Sequence, residues 1–166
     1  MKIVRYLARG AGEPCWGCLE NDAVVALEGD PLEGKRRAGK PVPLREARLI
    51  APCRPGKVVG LAINYEGATG LTPEMKEPLV FLKPGSSVCG PGDPIECGFS
   101  DVQVWGEAEL AVVIGRRLRR AAPEAAAAGI LGYTAGNDVS ADNVEDRDHH
   151  LARSKAADHF CPLGPW

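Results

Sequence analysis

Glycine and proline cut this chain into short pieces, and that limits its fold more than any other feature. The 20 glycines and 14 prolines punctuate apolar runs such as KIVRYLA, AVVALE, KVVGLAI and PLVFLK. Runs of about four to eight residues closed by turn formers suit strands and are short for helices. The expected class is therefore α+β, mostly β. The one clear helical signal is PEAAAAGIL from Pro123, because proline suits the first helical turn and alanine propagates it.

The punctuation also divides the chain. Residues 1–50 read as a small β-rich N-terminal unit, in which CWGCLE and AVVALE form a hairpin about the turn Glu20-Asn21-Asp22. Residues 29–43 (GDPLEGKRRAGKPVP) read as a polar excursion and 51–56 (APCRPG) as a linker. A second unit, 57–166, opens with a strand ending at Asn64-Tyr65. A loop over 66–78 follows, then PLVFLK closed by Pro84-Gly85-Ser86-Ser87, and a tight turn at Gly90–Pro94. No internal repeat or low-complexity tract is present.

Composition excludes some classes. A net charge of −2 gives no basic field for nucleic acid or an anionic membrane. The cluster Arg116, Arg117, Arg119 and Arg120 follows a strand and reads as a solvated turn. MKIVRYLARG lacks the apolar core of a signal peptide, and no apolar run is long enough to span a bilayer, so a cytoplasmic location is expected. Six cysteines in that compartment read as free thiols. Cys15-Trp16-Gly17-Cys18 has redox spacing, but a hairpin lacks the helix N-terminus that activates such a thiol.

VWGEAELAVVIG, residues 104–115, reads as a buried strand carrying two carboxylates. Residues i and i+2 share a face about 6.5–7 Å apart, so Glu107 and Glu109 point the same way. Ala108, Leu110, Val112 and Ile114 are expected to pack the core from the other face. Two buried like charges cost several kcal/mol if unpaired. A solvent-exposed edge relieves that cost; so does a hard divalent cation, which takes carboxylate oxygens. Asp138, in Gly136-Asn137-Asp138-Val139-Ser140, also sits where an apolar strand runs into a polar loop and is the candidate third ligand.

Five blocks in order, GLAINY, PLVFLKPGSSVCGPGDPI, GEAELAVVIG, GYTAGNDVSA and FCPLGPW, closely resemble the fumarylacetoacetate hydrolase superfamily over residues 57–166. The resemblance implies a mixed β-roll and a site holding Mg²⁺, or Mn²⁺ or Ca²⁺, on Glu107, Glu109 and Asp138. It implies Lys155, in Ala152-Arg153-Ser154-Lys155, as the catalytic lysine, with Asn64, Tyr65 and Lys83 binding substrate. The implied substrates are 2-oxo acids or β-diketones from aromatic or amino-acid catabolism. Isomerisation, decarboxylation or C–C hydrolysis would proceed through a metal-stabilised enolate, in a homodimer. The N-terminal unit points to members of the 2-hydroxyhepta-2,4-diene-1,7-dioate isomerase/decarboxylase kind. Acylpyruvate hydrolase and oxaloacetate decarboxylase are the next candidates.

The sequence departs from the family pattern in three places. Ala68 and Leu71 stand where the hydrolytic members carry a His and a Glu on a short lid helix. Asp142 and Asn143 stand where Arg-Asp is usual. The family's later strands, including a Gly-Thr-Pro segment, have no counterpart before Trp166, so an incomplete roll is expected. These departures carry the alternative expectation, a catalytically inactive member serving as a structural or oligomerisation partner. His149, His150 and His159 read as loop residues, although His149 lies in a stretch that varies among family members.

Overall fold

The computed structural model describes every residue except 11, 32–33, 35, 69, 71, 99–100 and 143–147. Five strands build the N-terminal unit: β1 (Lys2–Ala8), β2 (Cys15–Glu20), β3 (Ala23–Glu28), β4 (Arg36–Pro43) and β5 (Ala47–Ile50). They form one antiparallel sheet in the order β4-β3-β2-β1-β5. Its β2–β3 hairpin turns at Asn21, whose positive φ of 51° suits asparagine. Val4, Tyr6 and Val24 form the buried core on one face.

The polar excursion expected over 29–43 is largely a strand. β4 lies at the sheet edge, where charged residues and proline are tolerated because one row of backbone groups needs no partner. Arg36 pairs with Glu28 and Arg37 with Glu20, so its polar residues hold the edge in register.

The second unit comprises β6 (Lys57–Ala62), β7 (Leu79–Pro84), β8 (Val88–Cys89), β9 (Val104–Trp105) and β10 (Ala108–Ile114). The helix α1 (Pro123–Ala127) follows, then β11 (Ile130–Asn137), β12 (Ser140–Ala141), the helix α2 (Ala152–Lys155) and β13 (Cys161–Gly164). β6 and β7 pair antiparallel, and β10-β11-β13-β8 form a mixed sheet closed by the parallel pair β13–β8. A short β12–β9 pair stands beside it. The helix expected over PEAAAAGIL ends four residues early, because Ile130 already pairs with Ile114 in the sheet.

Two corrections concern VWGEAELAVVIG. It is not one strand: β9 pairs with β12 and β10 with β11, and the break falls at Gly106–Glu107. A side chain at 106 would collide with that of Asn137, whose Oδ1 accepts the Glu107 amide at 2.9 Å. Nor does the apolar face of β10 pack the core. Leu110, Val112 and Ile114 are exposed, as are Val59, Leu61, Val80 and Leu82 on β6–β7. Among the described residues, no second layer covers these faces.

Side chains tie the two units together. The Arg5 guanidinium donates to the carbonyls of Ala51 and Cys53 at 3.2 and 3.3 Å. Arg48 pairs with Asp93 at 2.7 Å, and the Lys2 ammonium lies 3.9 Å from the Trp166 ring centroid. All six cysteines are free thiols. Among the described residues no helix is long and apolar enough to cross a membrane, which leaves strand-built spans unaddressed.

Candidate functional site

Four chain segments meet at Asp138. It sits just past the end of β11, where the Asp138 amide donates to the Glu107 carbonyl at 2.9 Å. That bond places the loop carrying Asp138 against the break between β9 and β10. Ser140 opens β12, Lys155 closes α2, and Lys83 points inward from β7 beside Phe81. Val139, Ala141 and Phe160 form the apolar support beneath.

Asp138 is gripped from both oxygens. Lys155 Nζ lies 2.7 Å from Oδ2, and Lys83 Nζ lies 2.6 Å from Oδ1 without the geometry of a proper hydrogen bond. Lys155 Nζ also donates to Ser140 Oγ at 2.6 Å and reaches Glu107 Oε1 at 3.3 Å. Glu107 Oε1 accepts from Ser140 Oγ at 2.8 Å and from Trp105 Nε1 at 2.9 Å. Lys155 Nζ stands 5.1 Å from the Phe81 ring centroid, so the aromatic face backs the ammonium.

Lys83 meets Asp138 from within the fold. Its side chain is 2% exposed, and Nζ donates to the carbonyls of Val139 and Phe160 at 2.9 and 2.8 Å besides meeting Asp138. Two of the three donors of its ammonium go to those carbonyls. Lys83 therefore holds Asp138 from below through an ion pair. Burial pulls its pKa below the usual lysine value, with the Asp138 contact working the other way.

The other expected residues are placed as follows. Glu109 lies on β10, exposed, two residues from Glu107. Burial, then the negative charges of Asp138 and Glu107, push its carboxyl above the usual range, partly countered by Lys155. Glu107 behaves oppositely. Burial raises its pKa, but the Ser140 hydrogen bond, the Lys155 charge and the Trp105 hydrogen bond outweigh that and hold it low. Asn64 and Tyr65 are exposed after β6, with Asn64 Nδ2 donating to the Leu61 carbonyl at 2.8 Å. Ala68 lies in a turn, its amide on the Tyr65 carbonyl at 3.2 Å, and the described residues of 63–78 form no helix. Leu71 and Asn143 fall outside the described residues.

Sequence reasoning missed Ser140 and Trp105 as members of the site. Ser140 appeared only as part of a motif, and Trp105 only as an apolar neighbour on the carboxylate face. Their common signal was position, since each is two residues from a candidate ligand.

The donor set fits a hard cation in kind. Three carboxylates, Glu107, Glu109 and Asp138, share one neighbourhood with two ammoniums, so negative charge is left over for a cation to balance. The carboxylates do not form a ready-made cage: among the described residues no three His, Cys, Asp or Glu side chains are gathered as ligands. The Lys155 ammonium stands between two of them instead.

The family model described as "Fumarylacetoacetate (FAA) hydrolase C-terminal" matches residues 57–166, and one described as "Rv2993c-like, N-terminal" matches residues 1–52. Protein Rv2993c of Mycobacterium tuberculosis is 41% identical over 131 residues, covering 77% of this chain and 49% of its own length. The crystal structure of 2-hydroxyhepta-2,4-diene-1,7-dioate isomerase from Mycobacterium marinum superposes with a TM-score of 0.84 at 34% identity, covering 100% of this chain and 65% of that one. Maleylpyruvate hydrolase from Sphingobium sp. SYK-6, solved in complex with manganese(II) and pyruvate, superposes with a TM-score of 0.72 at 26% identity, covering 100% and 66%. The chain thus spans from about half to about two thirds of the length of these relatives.

Proposed function

This chain belongs to the fumarylacetoacetate hydrolase family, and from that membership we propose a divalent-cation-dependent enzyme acting on a 2-oxo acid or β-diketone through an enolate. The observation that carries this reading is the Lys155 ammonium seated at 2.7 Å from Asp138 and 3.3 Å from Glu107. A cationic donor beside a carboxylate cluster is equipped to receive an anionic oxygen ligand.

Glu107, Glu109 and Asp138 would hold the cation, Mg²⁺ or else Mn²⁺ or Ca²⁺, which when bound supplies Lewis-acid stabilisation of an enolate oxygen. Lys155 presents a charged donor to the substrate carboxylate or enolate oxygen, and Phe81 limits where that donor can swing. Lys83 fixes the direction of Asp138, while Ser140 and Trp105 fix Glu107. Asn64 and Tyr65, whose side chains are exposed, are retained as substrate contacts. Among relatives named for isomerisation and for hydrolysis, isomerisation or decarboxylation is favoured, because Ala68 offers no base to activate water. The same proposal includes a cytoplasmic homodimer, in which a second copy covers exposed apolar strands such as Leu110 and Val112 on β10.

A second reading is favoured by Ala68 and the helix-free turn around it: a family member that folds and associates without turnover. One experiment separates the two. Mg²⁺ or Mn²⁺ is expected to raise the melting temperature of the wild type but not of Glu107→Ala, and acylpyruvates or oxaloacetate should be consumed when followed in the ultraviolet. A metal response without turnover across a 2-oxo-acid panel supports the second reading. No metal response overturns the cation-dependent one.

A further inference from the structure

We propose that Asp148 is a positioning residue that fixes Lys155 through the turn preceding it. Asp148 is 5% exposed and lies outside the carboxylate cluster. Its Oδ2 accepts the Ser154 amide at 2.7 Å and a short hydrogen bond from the Ser154 hydroxyl, and the amides of Ala152 and Arg153 also face its carboxylate. These groups are the opening turn of α2 (Ala152–Lys155), whose last residue is Lys155. The backbone continues the link, since the Leu151 amide donates to the Asp148 carbonyl at 3.1 Å and the Lys155 amide to the Leu151 carbonyl at 3.0 Å.

Two features show that this turn is held rather than merely formed. A helix of four residues is too short to persist alone. Leu151, just before it, has φ of 56°, a left-handed conformation that is unfavourable for a residue carrying a Cβ. A buried carboxylate collecting successive amides is the local interaction that offsets both. Ser154 is itself 5% exposed, so the brace is fixed from behind and aims the following side chain towards Asp138 and Glu107. Asp148 acts by holding Lys155.

The inference rests on the proposed role of Lys155, but its test does not depend on turnover. Lysine acetylation by acetic anhydride, quantified residue by residue in the full chain, reads how firmly each ammonium is held. Lys83, buried and anchored from another strand, is the internal control for general loosening. Asp148→Ala is expected to speed acetylation of Lys155 about tenfold while Lys83 stays protected. Asp148→Asn, which keeps an acceptor oxygen, should restore most of the protection. If Asp148→Ala does not fold, Asp148→Ala in a Leu151→Gly background, where the left-handed residue carries no side chain, makes the same comparison. Lys155 and Lys83 changing in step, or Lys155 not changing, overturns the positioning role. Where turnover is present, Asp148→Ala should lower kcat more than it alters KM. A wild type inert on every 2-oxo acid overturns the role of Lys155, and the acetylation ratio still decides that of Asp148.

Discussion

Asp93 shows how one side chain can serve two units. Its Oδ2 accepts the Gly90 amide at 2.8 Å within a tight turn, and its Oδ1 meets Arg48 of β5 at 2.7 Å. The Gly90 hydrogen bond, with Arg48 adding to it, holds its pKa below the usual carboxylate value. A carboxyl depressed in the folded state contributes stability that is complete above its unfolded pKa of about 3.9 and is lost as pH falls through the folded value. Asp93→Asn should therefore lower stability at neutral pH and flatten the loss as pH falls below the unfolded carboxyl's pKa, measured by urea denaturation at several pH values. An unchanged acid limb would refute the assignment. At this scale much was legible in the sequence. Glu107, Asp138 and Lys155 were named from residue type and motif order, and they converge. The anchoring of Lys83 was not legible, because the carbonyls of Val139 and Phe160 that hold it come from segments distant in sequence.

The elements were harder to read. VWGEAELAVVIG has the composition of one strand, and alternation alone cannot show that Gly106 must leave room for Asn137. Nor can it show which face is covered, since an apolar face is exposed wherever no layer packs on it. β4 was missed because edge strands tolerate the charged, proline-bearing composition of a loop. A related constraint joins β6 to the site. Gly60 pairs with Phe81 across the β6–β7 ladder, and a Cβ at residue 60 would run into the Phe81 ring. Phe81 in turn backs Lys155. Gly60→Ala is expected to destabilise the fold by about 1–3 kcal/mol through overpacking, and more than Gly132→Ala, where a Cβ meets nothing within 4 Å. Chemical denaturation of the two variants checks this, and equal costs would refute it.

At the scale of the molecule, the mostly β character was legible from punctuation. The sheet order was not, because pairing such as the parallel β13–β8 contact joins strands far apart in sequence. Exposed apolar side chains now distinguish this surface: Leu110, Val112 and Tyr133 lie on one face of β10–β11, with Val112 opposite Tyr133. Contiguous apolar surface of that kind favours association. Light scattering coupled to size exclusion is expected to show an assembly for the wild type. Leu110→Glu with Val112→Lys should shift it towards monomer without reducing strand content. A wild-type monomer would refute association through this face.

The Lys83 ammonium bonds to carbonyls 56 and 77 residues away in the chain. Such contacts close long loops, so their entropic cost falls early while their reward comes only when both segments are in place. This makes the lysine a late-forming lock, whose effect should appear in the clock of the protein rather than in its shape. Lys83→Met is expected to speed unfolding in stopped-flow experiments while leaving the refolding limb nearly unchanged. A slowed refolding limb would mean that the lock forms early. On the expected outcome, the same bond that orders the acidic site also sets how long a folded molecule lasts.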